Sequence, residues 1–229
     1  MNLYPSALCA LWLSLKLALF TVLSLLPAAL LLGRWLAWTK SPLRAWIEAG
    51  VLLPLVLPPT VMGFYLLQAL GRPSWLGGLY ESLTGQTLVF GFEGILCASI
   101  LFNLPFAVQP VQRAFATIPP ELREAAACCG LTPARSFWLL EWPLAWPGIL
   151  AAMLLTFAHT LGEFGVVLMV GGNIPGKTQT LALVIYDRVQ AMEMTEAHLL
   201  SLGLVGISFL SLAGLYLLSG PRQSGPFRA

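Results

Sequence analysis

Residues 113–141 read RAFATIPPELREAAACCGLTPARSFWLLE and separate two long apolar segments. The stretch holds six of the 22 charged side chains of the chain (Lys+Arg 12, Asp+Glu 10). It is also longer than a connection between two neighbouring helices requires. Pro119 and Pro120 favour the first turn of a helix, and Gly130 favours its end. The stretch therefore predicts a folded loop that begins with a short helix.

A second short helix is predicted directly after the first. Thr132 is a residue type that caps helix N-termini, and Pro133 suits the first helical position. The pair Trp142-Pro143 favours a helix end, because proline disfavours helical backbone in the residue before it. We expect the second helix to stop there.

The composition of the whole chain excludes an ordinary soluble enzyme. The 229 residues are 58% hydrophobic and 10% charged, whereas soluble domains have about 45–50% apolar and about 25% charged residues. The net charge of +2 is too small to indicate a nucleic-acid partner. The four cysteines show no metal-ligand spacing, so no metal site and no cofactor is expected.

Five apolar segments are long enough to cross a membrane as helices, which takes about 20 residues. They are residues 11–33, 46–70, 94–111, 143–172 and 199–218. The fold class expected is therefore an all-α integral membrane protein with five spans, a helical loop at 113–141 and terminal segments at 1–10 and 219–229. The span at 143–172 is long enough to tilt or break, and prolines 58 and 59 favour a kink in the second span.

The distribution of Lys and Arg predicts the orientation, because cytoplasmic loops carry more of them. One set of loops holds eight: Arg34, Lys40, Arg44, Arg113, Arg123, Arg135, Arg222 and Arg228. The other set holds three: Arg72, Lys177 and Arg188. We expect residues 1–10 outside the cell and both the loop and the tail 219–229 in the cytoplasm. Lys16, inside the first span, is expected to reach towards the outer interface.

The loop resembles a known family. Glu124-Ala125-Ala126, three residues, Gly130 and then nine residues to Leu140-Glu141-Trp142-Pro143 are similar to the Glu-Ala-Ala loop of binding-protein-dependent ABC importer permeases, with Trp142 in place of leucine. The resemblance implies a type I ABC importer permease fold in the cell inner membrane. It implies that Glu124, Ala125, Ala126 and Gly130 couple to two cytoplasmic ABC ATPase subunits. It also implies a second copy of the chain and an external oxyanion-binding protein.

Three further stretches are similar to the molybdate/tungstate branch of this family: LPLVLPP at 53–59, LGEFG at 161–165 and NIPGKTQT at 173–180. Sulfate permeases share the first two in looser form. The resemblance therefore implies molybdate import, with tungstate as a possible second substrate. A sulfate or thiosulfate permease is the alternative.

A conduit for a divalent oxyanion needs polar groups that bind weakly enough to release it. Loosened backbone is tolerated in a span where it faces protein or a wet cavity. On these grounds the candidates for the path or gate are Pro58, Pro59, Thr60, Asn103, Thr160 and Glu163. A carboxylate deep in a span faces the interior, so Glu163 suits a role at the gate and a role in hydrogen bonding equally.

Other function classes have weaker support. Residues 171–178, GGNIPGKT, match the phosphate-loop pattern, but a membrane-length segment precedes them and they are expected outside the cell, so ATP binding there is not predicted. His159 and Glu163 could suggest zinc or an intramembrane enzyme, yet no third ligand and no catalytic triad are evident. We expect no catalytic residue. A secondary transporter would favour internal repeats, which are not evident here.

Overall fold

A computed structural model describes residues 3–218, and within them every regular element is a helix. The helices are α1 (Leu3–Trp38), α2 (Leu43–Val56), α3 (Pro59–Leu70), α4 (Trp75–Thr84), α5 (Phe92–Ala116), α6 (Pro120–Cys128), α7 (Pro133–Ser136), a π-helical turn (Phe137–Glu141), α8 (Trp142–Leu161), α9 (Gly165–Gly171), α10 (Leu181–Gln190) and α11 (Met194–Leu218). The predicted tail 219–229, with Arg222 and Arg228, lies outside the described residues.

Four stretches of helix are long and apolar enough to cross a membrane: Ala7–Trp38, Phe92–Ala116, Pro133–Leu161 and Met194–Gly214. A fifth crossing is available if α2 and α3 act together, because this pair also passes the length and hydropathy test although it is bent by 110°. The all-α membrane fold class is therefore confirmed.

The bent pair α2–α3 connects opposite ends of the bundle. Glu48 near the start of α2 accepts a hydrogen bond from Gln112 near the end of α5, at 2.5 Å. In contrast, α3 packs on α9, where a Cβ on Gly63 would lie 2.5 Å from the Cβ of Met169. The bend falls where Leu57 and Pro58 adopt extended backbone, with ψ of 137° and 136°, as each precedes a proline. Segment 46–70 is thus two helices and not one kinked helix.

The helices extend beyond the segments predicted from hydropathy. Helix α1 begins within the segment expected as an external terminus and continues to Trp38, and α5 continues to Ala116. Arg34 and Arg113 consequently lie on helix ends and not in loops. Their long side chains can still reach the membrane surface from within a span. Lys16 is exposed, and its ammonium lies 4.3 Å from the centroid of the Phe92 ring, a cation–π contact.

The predicted helix end at Trp142-Pro143 is wrong. The helix runs without interruption from Pro133 to Leu161 through the π-helical turn, in which the Trp142 N–H donates to the Phe137 carbonyl. The wide turn has already shifted the hydrogen-bond ladder by one residue, so the missing N–H of Pro143 does not stop the helix. The predicted break in the fourth span comes later, between α8 and α9, at residues 162–164.

The largest core lies where α1, α5 and α8 pack together. Its fully buried side chains include Leu36, Val108, Val111, Phe115 and Ile149. Two glycines permit the close approach: a Cβ on Gly33 would lie 2.8 Å from Cγ1 of Val111, and one on Gly148 would overlap Ala114. Small residues at helix crossings are typical of membrane bundles, where close packing replaces the hydrophobic effect.

Candidate functional site

Helix α6 presents most of the residues that the loop motif singled out. Glu124 and Ala125 are exposed, as is Gly130, whereas Ala126 faces the protein. Gly130 has φ of +76°, and its N–H donates to the Ala127 carbonyl at 2.9 Å. The next residue, Leu131, donates to the Ala126 carbonyl at 3.1 Å. A left-handed glycine thus ends α6, as predicted, and leaves an exposed surface of small side chains beside Glu124.

An ion cluster around one buried carboxylate links α6 to the membrane helices. The side chain of Glu141 is 2% exposed and accepts two hydrogen bonds from Arg34 on α1, Nε to Oε2 at 2.7 Å and Nη2 to Oε1 at 3.2 Å. Nε of Arg123, on α6, lies 3.8 Å from Oε1 of the same carboxylate. The Arg123 guanidinium carbon also lies 3.6 Å from the centroid of the Trp38 ring. We name Arg34, Trp38, Arg123 and Glu141 the Glu141 cluster.

A second buried carboxylate lies at the break between α8 and α9. Glu163 is 4% exposed, and its Oε2 accepts from the Ser99 hydroxyl at 2.6 Å and from Nδ2 of Asn103 at 3.3 Å. Both donors lie on α5, one helical turn apart. The predicted path residues Asn103 and Glu163 are therefore in direct contact.

Asn103 also joins His159 to this group. Oδ1 of Asn103 lies 2.9 Å from Nδ1 of His159, and this contact is a hydrogen bond when the proton is on Nδ1. The His159 ring stacks on Phe106, with centroids 3.9 Å apart and planes at 26°. We name Ser99, Asn103, His159 and Glu163 the Glu163 network. It is a chain of polar side chains with an amide at its centre.

The Glu163 network carries no nearby cation in residues 3–218. Within that range, no Lys, Arg or His nitrogen lies within 4.0 Å of the Glu163 carboxylate, and Oε1 of Glu163 has no hydrogen-bond partner. Nor do the described residues contain a group of three metal-ligating side chains. The network can therefore donate and accept hydrogen bonds.

The remaining path candidates fall into two groups. Thr160 is buried, and its hydroxyl donates to the Thr156 carbonyl of its own helix at 2.8 Å. Pro58, Pro59 and Thr60 are exposed at the bend between α2 and α3. At the start of α9, a Cβ on Gly165 would lie 2.9 Å from the Cβ of Pro59. The break after α8 therefore packs against the bend between α2 and α3.

The loop at 171–178 is closed by its own hydrogen bonds. The Thr178 hydroxyl is buried, donates to the Gly171 carbonyl at 2.7 Å and accepts from the Ile174 N–H at 3.0 Å. The N–H groups of Lys177 and Thr178 both donate to the Ile174 carbonyl. The residues before the loop form helix α9, where a phosphate loop would need a strand. The hydroxyl and amides that such a loop directs at phosphate are used within the loop itself.

The Glu141 cluster was not predicted as a site. Glu141 appeared only as a letter of the loop motif, and Arg34 and Arg123 only as charges that set the orientation. One signal was available: Glu141 is an acidic residue directly before a membrane-length apolar segment, a place where a carboxylate needs a partner. Its partners are 107 and 18 residues away in sequence, so spacing alone could not identify them.

The fold and the loop geometry define an inner-membrane transport component. The family described as binding-protein-dependent transport system inner membrane component matches residues 26–222, and the chain belongs to this family. The resemblance stated from the sequence is confirmed.

Individual relatives are similar over most of the chain. The molybdenum transport system permease protein ModB of Azotobacter vinelandii is 48% identical over 216 residues, covering 94% of this chain and 96% of that protein. ModB of Escherichia coli (strain K12) is 34% identical, covering 79% of each chain. The probable sulfate transport system permease protein cysT of Chlorokybus atmophyticus is 31% identical, covering 83% of this chain and 68% of that protein.

Solved structures share the fold at low sequence identity. A bacterial alginate ABC transporter in complex with an alginate pentasaccharide-bound periplasmic protein has a TM-score of 0.74 at 16% identity, covering 93% of this chain and 77% of that chain. The MetNI methionine ABC transporter in an inward-facing conformation has a TM-score of 0.73 at 18% identity, covering 96% and 98%. These likenesses establish the permease fold.

Proposed function

We propose that this chain is the permease subunit of an ABC importer that carries molybdate into the cytoplasm. The observation that carries the proposal is the 48% identity to a molybdenum permease across 94% of this chain and 96% of that protein. The sulfate relative is less similar and is covered over less of its length. Tungstate forms a tetrahedral dianion of the same charge, so the same conduit suits it.

The arrangement of charge supports a cytoplasmic position for α6. Helix ends that carry Lys and Arg meet at one end of the bundle, as shown by the contacts of the Glu141 cluster and of Glu48 with Gln112. The described cations at that end are Arg34, Lys40, Arg44, Arg113, Arg123 and Arg135. By the positive-inside rule this end faces the cytoplasm. The start of α1 is then on the outer side.

The surfaces of the subunit suit four kinds of partner. In the proposed complex, two ATPase subunits bind α6 and the corresponding helix of a second copy of this chain. The exposed bend at Pro58, Pro59 and Thr60 faces that second copy, and the loop at 171–178 lies on the side that an external oxyanion-binding protein approaches. Lipid covers the apolar face of α11, where Leu202, Val205 and Phe209 are more than half exposed.

The proposed subunit supplies the path, and ATP hydrolysis takes place in its partner. The loop at 171–178 directs its hydroxyl and amides inward and lies on the outer side, away from cytoplasmic ATP. Glu163 and Asn103 form part of the gate, because their network lies beside both helix breaks. The network offers hydrogen-bonding groups without a fixed cation, which suits a passage site that releases its ion.

Uptake by reconstituted vesicles tests the proposal. Vesicles would contain this permease with its ATPase, and molybdate, tungstate or sulfate would be supplied with the cognate binding protein and ATP. We expect ATP-dependent accumulation of molybdate. Sulfate accumulation that exceeds molybdate accumulation would overturn the substrate assignment, and accumulation that persists without ATP would indicate a secondary transporter.

Gly130→Val tests the role of the loop. Valine is strained at φ of +76°, so the end of α6 changes shape, and we expect molybdate uptake to fall at least roughly tenfold, as for the loss of about 1.4 kcal/mol or more of coupling. Gly85→Val is the matched control, because Gly85 has φ of +70° and equally open surroundings but ends α4 on the outer side. Normal uptake by Gly130→Val would contradict a coupling role for the loop.

A further inference from the structure

Helix α6 has one polar side-chain link to the membrane helices in the described part of the chain. Arg123 is half-buried, faces the Glu141 carboxylate and covers the Trp38 ring. The neighbouring motif residues Glu124 and Ala125 face away from the bundle. One face of α6 is therefore open to a partner, and the adjoining face meets the bundle through an arginine.

Glu141 lies at the start of a long, continuous helical segment. The helix continues from the π-helical turn through α8 to Leu161 without a break. About 20 residues at about 1.5 Å each correspond to about 30 Å of rigid helix. The far end of this rigid helix, Leu161, lies two residues before Glu163. A displacement of Glu141 would therefore move the residue that ends α8, beside the Glu163 network.

We propose that Arg123 and Glu141 are the positioning pair that transmits a displacement of α6 to α8. The proposal rests on the proposed function, in which α6 receives its motion from an ATPase. Arg34 donates to both oxygens of the Glu141 carboxylate, and Arg123 faces the same carboxylate with its Nε 3.8 Å from Oε1. When α6 moves, Arg123 carries Glu141 and the start of α8 with it.

The chemistry of arginine suits this task. Its planar guanidinium can face a carboxylate with its edge while its flat side covers an aromatic ring, as Arg123 does with Glu141 and Trp38. Lysine has a single charged point on a flexible stem and cannot fix both contacts at once. Arg123→Lys should therefore keep the charge but loosen the link.

The test compares coupling, measured as ATP hydrolysed per molybdate imported, in the full complex reconstituted in vesicles. We expect Arg123→Gln to raise this ratio between about 2-fold and about 30-fold, the range for residues that link two coupled sites. Arg123→Lys should give a smaller increase. Arg44→Gln is the matched control, because Arg44 is also a basic-end arginine, paired with Glu48 on the surface of its own helix. Its ratio should equal that of the wild type.

A merely structural role predicts a different result. If Arg123 only stabilised the fold, its variant would yield less complex, and hydrolysis and uptake would fall together at an unchanged ratio. An Arg123→Gln complex of normal subunit composition with the wild-type ratio overturns the proposal. A second measurement uses the double variant Arg123→Gln/Glu141→Gln. Its ratio should equal that of Glu141→Gln alone, since the pair acts as a unit, and full additivity of the two changes overturns the proposal.

Failure of this proposal is distinguishable from failure of the proposed function. If the wild-type complex imports no molybdate, the proposed function is wrong. If the wild type imports molybdate and Arg123→Gln imports it with the same ATP cost, only the positioning pair is wrong.

Discussion

Glu141 and Glu163 are the buried carboxylates of the described residues, and they lie near opposite ends of the same helix. Glu141 faces two arginines. Glu163 meets a hydroxyl and an amide, and one of its oxygens has no partner. The difference separates a fixed joint from an adjustable contact. In the proposed function, Glu141 is part of a joint between helices, which requires strong, directed bonds, and Glu163 is part of a gate, which requires bonds that exchange easily.

The energetics of the two sites follow from their partners. A carboxylate taken out of water loses several kcal/mol of solvation, which a paired and hydrogen-bonded cation offsets. Arg34 provides that cation for Glu141 in the forked geometry that is strongest. Glu163 receives hydrogen bonds from the neutral donors Ser99 and Asn103, which bring no opposite charge to the carboxylate. Changes at the Glu141 cluster should therefore cost more stability than equivalent changes at the Glu163 network.

Removal of Arg34 should have the largest effect. Arg34→Leu leaves the Glu141 carboxylate, 2% exposed, with only Arg123 at 3.8 Å. Breaking a buried ion pair on one side costs about 3–5 kcal/mol. We expect a large fall in the unfolding midpoint of the purified protein in detergent, measured by intrinsic fluorescence.

The double variant Arg34→Leu/Glu141→Leu is the control for this effect. It removes both charges and replaces them with apolar groups, which is close to neutral for many buried pairs. We expect it to recover most of the lost stability. If the double variant is as unstable as Arg34→Leu alone, packing of the Arg34 stem, and not the uncompensated carboxylate, determines the loss.

The same substitution at both carboxylates compares the two sites directly. Glu141→Gln replaces charge-assisted hydrogen bonds to Arg34 with neutral ones and should cost about 1.5–3 kcal/mol. Glu163→Gln keeps an oxygen that accepts from Ser99 and Asn103 and leaves no arginine without its counterion, so we expect a cost of about 1 kcal/mol or less. Chemical unfolding in detergent would measure both values in the full chain.

Equal costs at the two positions would contradict the distinction between a fixed joint and an adjustable contact. A larger cost for Glu163→Gln would reverse it, and would place the main anchor of the fourth span at the break instead of at Glu141.

Much of the fold was predictable because it depends on local sequence. The spans follow from apolar segments of membrane length, and the end of α6 follows from Gly130, whose φ of +76° is accessible to glycine without strain. The continuous helix through Pro143 was not predictable. A proline normally ends a helix, and whether a π-helical turn absorbs it depends on tertiary packing that Phe137 and Glu141 share with α1.

The sites divide in the same way. Glu163 could be singled out because a carboxylate inside an apolar segment is conspicuous at any position. Its contact with Asn103 could not be derived, since 60 residues separate them and only the packing of α5 on α8 and α9 brings them together. The Glu141 cluster was missed for a further reason. Glu141 already had an explanation as part of the loop motif, and Arg34 and Arg123 already had one as cations that predict the orientation.

Ser99→Ala should have a small effect and tests the Glu163 side of the comparison at a single hydrogen bond. The variant removes the donor that lies 2.6 Å from Oε2 of Glu163 but leaves the amide of Asn103 in place, so we expect a cost of about 1 kcal/mol. Ser211→Ala is the matched control, because the Ser211 hydroxyl donates to the Ile207 carbonyl of its own helix and its loss should change the unfolding free energy by less than about 0.5 kcal/mol. If the two variants have equal stability, the Ser99 hydroxyl contributes nothing to holding Glu163. Asn103, which joins Glu163 to His159, would then be the side chain that holds the network together.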